Sequence, residues 1–267
     1  SKDVILVSIN YRLGSLGYFA HPALSAESDF NSSGNYGTLD QIQALKWIKE
    51  NIEEFGGDQN NITIFGESAG GHAVRQLMSS PLSEGLFHKA IAQSSYAIGN
   101  TLHLKKDSGT IQSAESSGKD FVKTLGLIED DNLLQNLRNI PAKDLLQVGA
   151  GMVNPEDASN EEDYVISAAW MPNVDNWVFK DSALNISKTK QTHNVPFLLG
   201  FNSFEGSSLL PMFYTNEQHK KDTDWIKTIW ELAIPNDPNN IADGYKEWAK
   251  GIEKESYLAS QKLWGDV

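Results

Sequence analysis

The chain has 267 residues, 40% of them hydrophobic, enough for one sizeable globular domain with a real core. Its 35 acidic against 22 basic residues leave a formal charge of -13 with no long one-sign tail, a field that repels a polyanion and argues against nucleic-acid binding. With no cysteine, disulfides, thiolate catalysis and cysteine-ligated metals are excluded; the absence fits a reducing compartment and equally a secreted or periplasmic protein that never used disulfides, so the compartment stays open.

Residues 4–9, Val-Ile-Leu-Val-Ser-Ile, are almost continuously apolar and branched, which predicts a buried parallel strand. Residues 10–35 carry Gly14, Gly17, Pro22 and Gly34 and read as irregular connection. Thr38 to Gln41 has capping-box spacing, and Leu39, Ile42, Leu45, Ile48, Ile52 and Phe55 recur at helical intervals before Gly56-Gly57. A strand is predicted at 62–65, a helix from Ala69 to Met78 closed by Pro81, and a strand at 89–94.

Strand and helix alternating over about ninety residues is the pattern of a mainly parallel sheet covered by helices. After Gly99 the pattern changes to short helical segments around Phe121, Leu133 and Leu145, expected as an insertion over residues 100–192. Residues 196–201 restore a strand, and Trp225, Ile226, Ile229 and Trp230 share the face of a further helix. No apolar stretch approaches the roughly 20 residues of a membrane-spanning helix, and the opening residues lack a signal-peptide layout. Lys180, Lys188 and Lys190 read as solvated surface.

The chemistry concentrates at Gly66-Glu67-Ser68-Ala69-Gly70, a G-x-S-x-G sequence between an apolar strand and a helix. In that context the serine stands at the apex of a sharp turn, a nucleophile elbow. Small neighbours let the chain reverse, and the Ala69 N–H is placed for a developing oxyanion at the start of the helix. A serine hydroxyl is a poor nucleophile until a base takes its proton, and that base needs a carboxylate to orient it.

Several stretches together resemble the type B carboxylesterase and cholinesterase family of α/β-hydrolases. They are Asn10-Tyr11-Arg12-Leu13-Gly14, Gly34-Asn35-Tyr36-Gly37-Thr38-Leu39-Asp40-Gln41, Phe55-Gly56-Gly57-Asp58, the elbow itself, and Gln93-Ser94-Ser95. The likeness returns at Pro196 to Gly206, where the triad acid of that family falls on Glu205. The resemblance implies Ser68 as nucleophile, Glu205 as triad acid, Ala69 as oxyanion donor, and Glu67 and Ser94 as supporting residues. It implies neither metal nor cofactor. Arg12, Asp40 and Asp58 are expected to fix glycine-rich loops, and Tyr164, Trp170 and Trp177 to line a pocket or pack in the core.

The family's catalytic histidine follows its acid, yet His219 is the only histidine after Glu205 and lies in a charged run. His72 is near Ser68 in sequence; His21, His88, His103 and His193 precede the acid. The family's glycine-rich oxyanion loop is also not evident before residue 4. The expectation is therefore an α/β-hydrolase domain incomplete at both ends, whose missing segments or another chain complete the fold. The expected function is hydrolysis of small or medium carboxylic esters through an acyl-enzyme, with little or no activity in this portion alone. The alternative is a noncatalytic binding or assembly module on the same scaffold.

Overall fold

The computed structural model describes residues 3–95, 102–107, 112–149 and 170–202. Glu205, His219, Tyr164 and the helix expected around Trp225 lie outside the described residues. In chain order the elements are α1 (Gly14–Tyr18), α2 (Pro22–Glu27), α3 (Tyr36–Asn51), a 3-10 turn (Ile52–Phe55), β1 (Thr63–Glu67), α4 (Ala69–Ser79), a second 3-10 turn (Pro81–Ser83) and β2 (Lys89–Gln93). Then follow α5 (Ala114–Thr124), α6 (Leu133–Asn139), α7 (Ala142–Gly149), α8 (Ala183–Lys188) and β3 (Phe197–Gly200).

The three strands form one sheet in the order β1-β2-β3. The register is parallel: His88 N–H donates to Ile62 C=O and Ser68 N–H to Gln93 C=O on one side. On the other side Ala90 N–H donates to Pro196 C=O and Ser94 N–H to Gly200 C=O. The expected fourth strand is corrected by the structure. Residues 4–9 form no strand, and Val4 and Leu6 are 78% and 73% exposed. An apolar run specifies burial but not a partner, and a strand exists only where a neighbour's N–H and C=O groups meet its own.

The described residues group into two compact units. The larger takes those up to Ile64, Ala73–Ala90 and those from 102 to Phe197. Its core is built where helical apolar faces meet: Val122, Leu133 and Leu137 pack together with Phe19 and Leu125 against them. Ala20, Leu102, Leu104 and Ala114 form a second cluster. Phe19, Phe121 and Trp170 meet edge to face, with centroids 4.8 to 6.0 Å apart, so Trp170 is a packing residue.

The stretch expected to be irregular, 10–35, contains α1 and α2. Pro22 opens α2 at the position where its missing N–H costs nothing, and His21 caps it, Nδ1 accepting from Ala23 N–H at 3.2 Å. The capping box expected at Thr38 is also corrected. The helix begins three residues earlier, with Asn35 at the N-cap; Thr38 is fully buried within it, and its Oγ1 has no partner among the described residues. Asn35 at the N-cap gives no side-chain cap because its amide is already engaged, Nδ2 donating to Asn173 C=O and Oδ1 accepting from Asn173 N–H.

Two polar devices hold the loops of this unit. Arg12 grips Asp40 with Nε and Nη2 at 2.8 and 2.7 Å. Hydrogen bonding to Arg12 draws the Asp40 carboxyl below its ordinary range. The buried Asp175 carboxylate accepts from Ser32 Oγ at 2.5 Å, Asn35 Nδ2 at 3.0 Å, and the amides of Trp177 and Phe179 at 3.0 Å each. Asp58, expected to fix its loop, does so by accepting from Asn60 N–H at 2.8 Å.

Candidate active site

The smaller unit holds, among the described residues, Phe65–His72 together with 91–95 and 198–202. β1 ends at Glu67, α4 begins at Ala69, and Ser68 alone makes the reversal with φ +54°. That left-handed conformation is uncommon for a residue with a Cβ and costs about 1–2 kcal/mol. It is held from both sides. Ser68 N–H donates to Gln93 C=O at 2.9 Å, pinning the apex to the end of β2, and Ser68 C=O accepts His72 N–H at 3.0 Å, starting the helix.

Of Gly66 and Gly70, both expected to be bare so that strand and helix do not collide, the structure requires it of the first. A Cβ on Gly66 would lie 2.4 Å from the Gly70 carbonyl carbon, so Gly66 must stay bare for the helix to pass over the strand. A Cβ on Gly70 meets nothing within 4 Å among the described residues. The second close approach belongs to Gly71, whose Cβ would stand 2.8 Å from Gln93 O and 3.1 Å from Ser95 Cβ. Sequence reasoning missed Gly71 and Gln93; the signal for the first was the Gly70-Gly71 doublet, read only as part of a motif.

Ser68 is half-buried, while Ala69 and Glu67 are exposed. The Ala69 amide belongs to the first turn of an eleven-residue helix, whose opening N–H groups have no intrahelical acceptor and carry the positive end of the helix dipole. Ser94 follows the carbonyl that anchors Ser68 and itself turns at φ +47°, its N–H donating to Gly200 C=O at 2.7 Å. Two adjacent parallel strands therefore both leave the sheet through a left-handed serine. Ser68, Ala69, Glu67 and Ser94 gather at these carboxyl ends, the edge at which α/β-hydrolase chemistry is placed.

The histidines of the larger unit have structural partners. His21 caps α2, and burial pushes its imidazole below its ordinary range against the opposing pull of Glu129. His88 Nδ1 accepts from Ile62 N–H at 3.2 Å. His193 Nε2 lies 2.8 Å from Ser80 C=O, and His103 pairs in a bridge with Val174. In the smaller unit His72 occupies the first turn of α4.

The carboxylesterase family pattern matches residues 1–264. The fumonisin B1 esterase of Sphingopyxis macrogoltabida is 33% identical over 252 residues, covering 91% of this chain and 42% of that protein. Carboxylesterase 3 of Pongo abelii is 34% identical over 279 residues, covering 99% of this chain and 43% of that protein. A PNB esterase structure superposes with a TM-score of 0.69 at 27% identity, covering 96% of this chain and 49% of that one. The chain thus spans somewhat under half the length of these relatives. It belongs to the carboxylesterase family and has the α/β-hydrolase fold of its esterase neighbours.

Proposed function

From that membership we propose that the protein carrying this chain is a serine hydrolase of small or medium carboxylic esters and works through an acyl-enzyme. The observation that carries the reading is Ser68 at φ +54° between β1 and α4. Ser68 Oγ attacks the ester carbonyl and its proton passes to a histidine base. The carbonyl oxygen, now negative, is received by the Ala69 N–H among other donors. Collapse expels the alcohol, which takes up the proton, and water then releases the acid by the same steps in reverse roles. Glu205 orients the base, and Glu67 and Ser94 support the turn. Residues 100–192 are read as an insertion between strands, since α5 to α8 all fall between β2 and β3.

Further segments of the protein, or another chain, supply the base and the remaining oxyanion donors. Two exposures support this. Residues 4–9 present apolar side chains to solvent, and separately all four residues of β3 are exposed, Leu198 at 63%. Both are surfaces that a neighbouring strand would bury.

The test compares short-chain p-nitrophenyl ester hydrolysis by the full-length protein, by the 267-residue chain and by Ser68→Ala in each. Full-length turnover abolished by Ser68→Ala, with little turnover by the chain alone, is expected; triad nucleophile removal costs roughly 10⁶-fold in kcat in another serine hydrolase. Full-length turnover that survives Ser68→Ala overturns the assignment.

A further inference from the structure

The larger unit contains an open cleft of about 680 Å³ formed by α1, α2, the 28–36 loop, α6, the start of α7 and Trp177. Its size falls in the range of small-molecule sites, and none of the proposed catalytic residues lines it. Leu24, Leu39, Leu134 and Ile140 contribute aliphatic wall, and part of the wall is aromatic: Phe30 and Trp177 lie parallel within 5°, centroids 3.9 Å apart, with Phe30 53% exposed.

Two further observations mark the cleft as built. Its aromatic wall is preorganised from below, because the segments bearing Phe30 and Trp177 are tied to one buried carboxylate, Asp175, through Ser32 Oγ and the Trp177 amide. Its positive charge is compensated: Arg12 is gripped by Asp40 and Arg138 by Glu27 at 2.5 Å, and Asp29 also lines the cleft. An anion therefore meets no surplus positive charge. What the wall offers is apolar and aromatic contact.

We propose that this cleft is a second ligand site, separate from the Ser68 turn, that takes an uncharged aromatic small molecule packed against the Phe30–Trp177 pair.

The test is fluorescence titration of the full-length protein with the uncharged probe N-phenyl-1-naphthylamine, run beside circular dichroism of each variant. Saturable binding is expected, weakened roughly five- to tenfold by Phe30→Ala, in line with loss of one aromatic contact and its buried area. Leu134→Glu, which charges the opposite wall at a half-exposed position, is expected to weaken it further. Ser68→Ala is expected to leave it unchanged. Binding that survives both Phe30→Ala and Leu134→Glu, or that is lost instead on Leu6→Asp, overturns the site. Equal or tighter binding of the anionic 1-anilinonaphthalene-8-sulfonate through the same residues overturns the ligand class. The readout uses no ester turnover, so it stands or falls apart from the reading of Ser68.

Discussion

The turn at Ser68 and the turn at Asp175 each carry a left-handed residue that is not glycine, but they are held by different means. At Ser68 the backbone takes an unfavourable dihedral, φ +54°, and bare glycines on either side make room for it. At Asp175 the next residue, Asn176, is also left-handed at φ +66°, but here a side chain does the holding, with four hydrogen bonds converging on one buried carboxylate. The first arrangement leaves a hydroxyl half-exposed at the end of a strand. The second leaves no reactive group presented at all. The same backbone conformation thus serves to present a side chain at one turn, while at the other a neighbouring side chain is consumed in locking it.

The contrast makes its largest demand on Asp175. Replacing it with alanine removes the acceptor of four hydrogen bonds, and we expect a loss of about 3–5 kcal/mol in urea unfolding. A loss below about 1 kcal/mol would mean the carboxylate is not the keystone of its turn. Next comes Gly66→Ala, whose methyl would meet Gly70 backbone at 2.4 Å. Overpacking of that kind costs about 1–3 kcal/mol, and the full-length protein should lose hydrolysis with it; a variant of full stability would show that the helix can ride higher over the strand.

Ser68→Gly should move stability the other way. Glycine adopts φ +54° freely, so relief of strain outweighs its greater unfolded-state freedom, for a net gain of about 0.5–1 kcal/mol as hydrolysis disappears. Any net destabilisation would say that the apex is not strained. The smallest effect is at the partly exposed Arg12–Asp40 pair, where Asp40→Asn should cost about 0.5–1 kcal/mol at neutral pH. The folded-state pKa of Asp40 is depressed, so its contribution is present above the unfolded value near 3.9 and is lost as pH falls through the lower folded value. The difference between parent and variant should therefore begin to shrink as pH falls below about 4 and vanish only below the depressed folded value, and one that persists there would assign the effect to packing.

Much of this was legible in the sequence, for reasons that differ by element. β1, β2 and β3 fall within one or two residues of their apolar runs, because a strand flanked by parallel neighbours must be apolar and branched. The elbow was legible because its constraints act between residues adjacent in the chain. Residues 4–9 misled because apolarity says nothing about whether a partner strand is alongside. Thr38 misled for a related reason: the capping box is local, but Asn35, which stands at the true N-cap, is claimed by Asn173, 138 residues away. Gly71 is constrained by Gln93 and Ser95 on the next strand, which no local motif can express. The acid assigned to Glu205 lies outside the described residues and rests on the family pattern alone.

The span of the Asp175 contacts also sets a schedule for the newborn chain. Ser32 and Asn35 wait for partners 143 and 140 residues later in the sequence. At translation speeds of about 5–20 residues per second, that interval is roughly 7 to 30 seconds. During it the loop after α2 can be solvated by water but not locked, and α3 must begin without the tether that later fixes its first turn. Synonymous codons that slow translation between residues 35 and 175 should lengthen the protease-sensitive life of this loop on the ribosome without altering the finished protein.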